Sequence, residues 1–131
     1  MRKNEVFVVG YCRGRAGFGI YWGPGDARNR SSLVTGGKNT QPCAELEGAI
    51  MALNMARTHG YRRIQVNMKS KYVVSLFTTR NKVRQNWQLV QDLCKAKRNI
   101  NVFWKFVDKA SRAGGIEEAD KLSREAVGGS N

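Results

Sequence analysis

Few residues of this 131-residue chain carry chemistry of their own. The single histidine, His59, follows a helical stretch and precedes Gly60, so it reads as a surface turn residue. Cys12, Cys43 and Cys94 are an odd number with no close pair. They read as reduced thiols of an intracellular protein (nucleus, cytoplasm and mitochondrion all stay open), and no zinc ligand set accompanies them. Two carboxylates fall near the starts of predicted helices, Glu45 and Asp120. By position alone each complements a helix N-terminus.

The dominant chemistry is positive charge. Lys and Arg number 23 against 10 Asp and Glu, a net charge of +13. No acid occurs between Glu47 and Asp92, a stretch that holds Arg57, Arg62, Arg63, Lys69, Lys71, Arg80, Lys82 and Arg84. Solubility alone does not call for a stretch so free of acids. Such a surface expects a polyanion, nucleic acid first and an anionic membrane second. No apolar run approaches the roughly 18–20 residues that span a bilayer. The start, Met1-Arg2-Lys3-Asn4-Glu5, has no small-residue cleavage site. No basic amphipathic helix with bulky apolar residues opposite is present, which ranks a membrane-surface role last.

The elements that must position these residues follow from periodicity. Val6-Phe7-Val8-Val9 reads as a buried strand, and Gly10 to Gly17 as a turn. Phe18 to Trp22 is a second strand, stopped by Gly23-Pro24-Gly25-Asp26, and Ser31 to Thr35 a third. Pro42 sits where a helix can begin. From Ala44 to Thr58, Leu46, Ala49, Ile50, Leu53 and Ala56 share one helical face, and His59-Gly60 closes it. Ile64 to Met68 is a strand, Lys71 to Thr78 a short helix and Arg84 to Lys97 another, with Trp87, Val90, Leu93 and Cys94 inward. Asn101 to Val107 is a fifth strand and Glu117 to Val127 a last helix. The order β-β-β-α-β-α-α-β-α predicts one α/β domain with a mixed sheet and helices on its faces. Its core spans 6–127 and 128–131 is a flexible tail. Met1 and the Gly-Ser tail read as the ends of a piece cut from a longer protein.

Four segments resemble one family. Gly17-Phe18-Gly19-Ile20-Tyr21-Trp22-Gly23-Pro24-Gly25 is similar to the G-x-G-V-Y-W-G-P-G strand of type 1 ribonuclease H. Asn39-Thr40-Gln41-Pro42-Cys43-Ala44-Glu45-Leu46 resembles its T-N-Q-R-A-E-L, and Ser70-Lys71-Tyr72-Val73 the tail of T-D-S-K-Y-V. Glu117 to Ala126 follows N-E-E-A-D-R-L-A-R-E-A. The resemblance implies a ribonuclease H-like fold: a five-stranded mixed sheet in order 3-2-1-4-5 with helices on both faces. It also implies cleavage of the RNA strand of an RNA–DNA hybrid by two Mg²⁺ ions on an Asp-Glu-Asp-Asp set. Two divalent ions about 4 Å apart repel, and clustered carboxylates offset that repulsion.

Carried across residue by residue, that set is incomplete. The first Asp position is Val9, the Glu is Glu45, the second Asp is Lys69 and the last is Asp120. The family's loop histidine falls near Ala110. An aliphatic group cannot ligate a hard cation, and an ammonium repels one. Lys69 is therefore expected to replace the metal in an ion pair with Glu45 or Asp120, because unpaired buried carboxylates are costly. The resemblance places Lys38 and Thr40 in a phosphate pocket, Gln41 against the hybrid and Tyr72 in the channel wall, where core packing is an equal alternative for Tyr72. A basic protrusion shrinks to Thr79 to Val83, which carries Arg80 and Lys82. Arg13, Arg15, Lys69 and Lys71 add cations near the same surface.

The expected protein is a catalytically inactive, ribonuclease H-like binding module without metal or cofactor. Its expected partner is nucleic acid, RNA or RNA–DNA hybrid, held through the basic surface. The alternative is a protein-interaction or dimerisation scaffold within a larger protein or RNA-processing complex, using the helix from Arg84 to Lys97. A residual hybrid endonuclease, with Asp108, Glu117 or Glu118 compensating for the lost ligands, is the third reading.

Overall fold

Alternating apolar residues set the first two strands against each other. β1 (Glu5–Arg13) and β2 (Arg15–Tyr21) pair antiparallel from Phe7 opposite Tyr21 to Arg13 opposite Arg15, and Gly14 makes the turn. The stretch from Gly10 to Gly17, expected as a turn, is therefore mostly ladder. Gly14 alone serves the reversal, while Gly10 and Gly17 serve close packing. The computed structural model describes residues 4–36, 38–78, 85–108 and 114–128.

β3 (Arg30–Leu33) extends the sheet beyond β2, while β4 (Arg63–Met68) and β5 (Asn101–Phe106) add parallel strands on the other side of β1. The order is β3-β2-β1-β4-β5, as expected. The helices are α1 (Gln41–Thr58), α2 (Lys71–Thr78), α3 (Trp87–Ala96) and α4 (Gly114–Gly128). α1 starts three residues earlier than periodicity suggests because Thr40 caps it, its hydroxyl accepting from the Cys43 amide at 3.3 Å.

The strand period of two divides the core. Val6, Val8, Phe18, Ile20, Ile64, Val66 and Met68 pack beneath α1, with residues of α2 and α3 beside them. Val9, Val107, Ile116 and Ala119 form a smaller core, with Phe7 and Tyr21 packed against it. α4 lies over β1, β2 and β3 on that side. Gly19 lets it approach, since a Cβ there would stand 2.1 Å from the Ala119 carbonyl oxygen.

α3 rests on α1, and the two run parallel. Arg57 Nη2 donates to the Lys95 carbonyl at 2.8 Å near their C-terminal ends, and Cys43 Sγ to Asn86 Oδ1 at 3.2 Å near their N-terminal ends. Trp87 and Cys94, expected inward, are exposed, Trp87 by 61 %. Val90, Leu93 and Ala96 define the buried face. At about 100° per residue, Trp87 and Cys94 lie roughly 100–120° away from its centre. The helix begins at Trp87 because Asn86 takes a left-handed conformation, φ 55°. Arg84 lies outside the described residues.

Candidate nucleic-acid interface

A cleft of about 510 Å³ opens where β4 ends beside the middle of β1. The chain leaves β4 for α2 here while β1 runs on into its hairpin with β2, and the carboxyl end of a parallel strand is the usual place for a ligand in an open α/β sheet. Val9, Glu45, Lys69 and Asp120 all line it, so four of the five family positions converge as the resemblance implies. Ala110, the fifth, lies outside the described residues, as do Arg80 and Lys82.

Glu45, on α1, is buried, 9 % exposed. Gly10 makes room for it: a Cβ at Gly10 would stand 2.7 Å from both Glu45 Cγ and the Glu45 amide nitrogen. The carboxylate accepts from Ser70 Oγ at 2.8 Å and from Gln41 Nε2 at 3.4 Å. Burial pushes its pKa up, and the two hydrogen bonds pull the other way without cancelling it. Ser70 also accepts from the Val73 amide at 3.0 Å, tying the start of α2 to the same carboxylate.

Asp120 has a different partner. Arg124, one turn along α4, donates to it with Nε at 3.0 Å, and the guanidinium sits 4.5 Å from the centre of the Tyr11 ring. The expected ion pair of Lys69 with Glu45 or Asp120 is not formed among the described residues. The neutral donors Ser70 and Gln41 serve Glu45, and Arg124 serves Asp120 first. Arg124 was not among the expected site residues, although an acid followed four residues later by a base is a readable helical pair.

Val9 is 4 % exposed and belongs to the small core with Val107, Ile116 and Ala119. Of the three acids offered as compensating ligands, only Asp108 lines the cleft. Glu118 is instead paired with Lys121 at 3.5 Å. Among the described residues no three Asp, Glu, His or Cys side chains are grouped to hold a metal ion. The four family positions, a buried carboxyl, an acid paired to arginine, a valine and a lysine, offer two carboxylates and do not fit a pair of Mg²⁺ ions.

A second recess lies at the N-terminus of α1, lined by Lys38, Thr40, Pro42, Gln85 and Asn86. Asn39 fixes this loop: its side chain accepts from the Ala16 amide at 3.2 Å and its carbonyl from Cys12 Sγ at 3.4 Å. A lysine and a helix N-terminus together suit a phosphate. Gln85 and Asn86 escaped the sequence reading because they are distant in sequence and enter only through the packing of α3 on α1.

The remaining expected contacts divide. Lys71 lines the cleft, its Nζ 5.6 Å from the Phe106 ring centre. Gln41 Nε2 is spent inside the protein, on the Gly10 carbonyl at 2.8 Å as well as Glu45, which leaves its amide oxygen for a ligand. Arg13 and Arg15 face each other at the tip of the hairpin, and Arg15 donates to the Val127 carbonyl at 3.1 Å. Tyr72 packs on the main core with its hydroxyl buried and unpartnered, so the packing alternative holds for it.

The family described as reverse transcriptase-like matches residues 14–126 of the chain. The chain belongs to this family. It is an RNase H-like domain. Human ribonuclease H1 is 28 % identical over 141 aligned residues, covering 93 % of this chain and 49 % of that protein. The chain thus spans about half the length of the curated relatives it matches. The N-terminal RNase H domain of a Mycobacterium tuberculosis protein superposes with a TM-score of 0.77 at 24 % identity, over 94 % of this chain and 98 % of that one. LC11-RNase H1, from a compost metagenome and solved with an RNA/DNA hybrid, superposes with a TM-score of 0.73 at 22 % identity, over 94 % and 95 % of the two chains. These RNase H domains share the five-stranded architecture described above.

Proposed function

We propose that this RNase H-like domain binds nucleic acid across its cleft and the α1 recess without cutting it. The observation that carries the reading is the state of the cleft acids. Asp120 is held by Arg124, Glu45 is buried among neutral donors, and the two remaining ligand positions are Val9 and Lys69. The groups that would gather metal at the four family positions are absent or engaged, while Lys38, Lys69 and Lys71 leave cations along one surface. Phosphate is the group such cations position. The fold neighbour solved with an RNA/DNA hybrid supports a hybrid as the ligand class.

The test is a titration of hybrid, duplex RNA and single strands at two salt concentrations, with Mg²⁺ or Mn²⁺ present, reading retention and cleavage together. The expected result is salt-dependent retention of intact ligand. Mg²⁺-dependent cutting at the rate of a working ribonuclease H, or no binding at low salt, contradicts it.

A second reading, a protein-docking scaffold, draws on Trp87, an aromatic side chain expected in the core that instead stands exposed on α3. Light scattering and pull-down separate the two: a tight, salt-resistant protein complex favours the scaffold.

A further inference from the structure

Among the described residues, one face of the sheet is only half covered: α4 lies over β1, β2 and β3, and no helix lies over β4 and β5 on that side. Ile64, Val66 and Met68 point into the main core, so Arg63, Gln65 and Asn67 point to the opposite side, where Arg63 is exposed, Gln65 half-buried and Asn67 buried. Their β5 partners in register are Asn101, Phe103 and Lys105. Phe103 is 62 % exposed, the most exposed large apolar side chain among the described residues. A phenyl ring in that position gains little from folding, because most of its surface stays in water. It is held on a rigid strand, with cations on both sides. Lys105 follows two residues along β5 and Arg63 lies diagonally across on β4, each about 7 Å away.

The polar groups between them are ordered. Asn67 Nδ2 donates to Glu5 Oε1 at 3.1 Å and to the Val6 carbonyl at 3.2 Å, and Gln65 Nε2 donates to Asn67 Oδ1 at 2.8 Å. Glu5, an acid on this face, is thus occupied by amide donors. A recess of about 340 Å³ runs from Gln65 and Lys105 to Phe106 and Asp108, two residues that also line the cleft. The open face is therefore continuous with the cleft rim.

We propose that the uncovered β4–β5 face is a platform for single-stranded nucleic acid, with a base stacked on Phe103 and flanking phosphates held by Arg63 and Lys105. An exposed aromatic ring between cations is the chemistry that single strands select, because every base has a stacking face. An apolar peptide laid on the same ring would strip water from Arg63 and Lys105 without pairing them. The platform stands apart from the cleft acids and does not depend on whether the cleft cuts or only holds.

The test uses fluorescence anisotropy of the whole chain with a labelled oligouridine and oligothymidine of about ten nucleotides. Phe103→Ala weakens single-strand binding by about 5- to 150-fold. Phe103→Trp retains it, and Lys105→Glu weakens it. Phe103 is exposed, so its variants keep the wild-type melting temperature. A 2-aminopurine placed in the strand is quenched by the wild type and not by Phe103→Ala, a readout that charge alone does not give. Hybrid binding is measured beside it: a wild type that holds single strands but not hybrid refutes the cleft reading alone. Three results overturn the platform. One is unchanged single-strand affinity in both Phe103→Ala and Lys105→Glu. Another is oligouridine-induced amide shifts confined to Lys38, Glu45 and Lys69 in NMR spectra. The last is self-association that requires Phe103 with no oligonucleotide bound, which assigns the face to a second copy of the chain.

Discussion

Ser70 and Glu45 share a 2.8 Å hydrogen bond inside the cleft, donated by the hydroxyl to a carboxylate that burial drives towards its neutral form. A carboxyl whose folded pKa is raised destabilises the fold when charged. The penalty is small below its unfolded pKa of about 4.3 and grows as pH rises through that value towards the folded one. Glu45→Gln keeps the shape and the acceptor for Ser70 and removes the charge. The variant is expected to gain about 1 kcal/mol at pH 8, a few degrees in Tm, and less at pH 4. Thermal unfolding at the two pH values checks this. A loss of stability at pH 8 contradicts it.

Rebuilding the metal ligands tests the cleft from the other side. Lys69→Asp alone is expected to leave Tm insensitive to Mg²⁺, because Val9 still offers no oxygen. Val9→Asp places a carboxylate where a side chain 4 % exposed packs on Val107, Ile116 and Ala119, at a cost of about 3 kcal/mol without metal. The double variant V9D/K69D is expected to recover part of that loss on adding Mg²⁺. Differential scanning calorimetry with and without the ion reads it. A wild-type Tm that rises with Mg²⁺ as far as that of the double variant refutes the description of the donor set.

Gly19→Ala tests the packing that brings Asp120 to the cleft. The new Cβ would stand 2.1 Å from a backbone oxygen of α4, so the helix must move. A loss of about 3 kcal/mol or more is expected in urea unfolding, at the upper end of overpacking effects. A loss under about 1 kcal/mol shows that α4 sits farther from β2.

Asp26 supplies a separate pH dependence. Hydrogen bonds from the Arg28 side chain, Nε to Oδ1 at 2.9 Å and Nη2 to Oδ2 at 2.7 Å, are the largest cause holding its pKa at about 2, and the Arg28 amide adds another at 2.8 Å. A depressed carboxyl stabilises the fold above its unfolded pKa of about 3.9, and that contribution is lost as pH falls towards 2. The pair is partly exposed, which limits it to about 1 kcal/mol. Asp26→Asn is expected to lose that much at pH 7 and to match the wild type near pH 2. A pH-independent difference contradicts the ion-pair account.

Strand order and helix placement were legible because the chain repeats its signals. Val6 to Val9 and Ile64 to Met68 carry strand patterns, and the segments around Gly17, Thr40, Ser70 and Glu117 carry the family resemblance. The convergence of Val9, Glu45, Lys69 and Asp120 follows from that fold. The partners inside the cleft were not legible. Residue types alone set Lys69 against the acids, but hydrogen-bonding reach decided for Ser70, Gln41 and Arg124. Gly10 and Gly17 read as turn formers, whereas helix packing explains them: each faces a helix too close for a Cβ. Trp87 misled because apolar character was read as burial, while the angle of α3 around its own axis depends on where α1 lies.

On the proposed reading, this cleft holds nucleic acid and leaves it whole. An RNA–DNA hybrid labelled on its RNA strand, incubated with the protein and Mg²⁺ or Mn²⁺ across a salt series, gives retention and strand length from the same samples. The RNA is expected to stay full-length. With about six cations on phosphate, log affinity is expected to fall against log salt with a slope of about −4 to −5. Shortened RNA that accumulates with metal and disappears with chelator, or retention that ignores salt, contradicts the account.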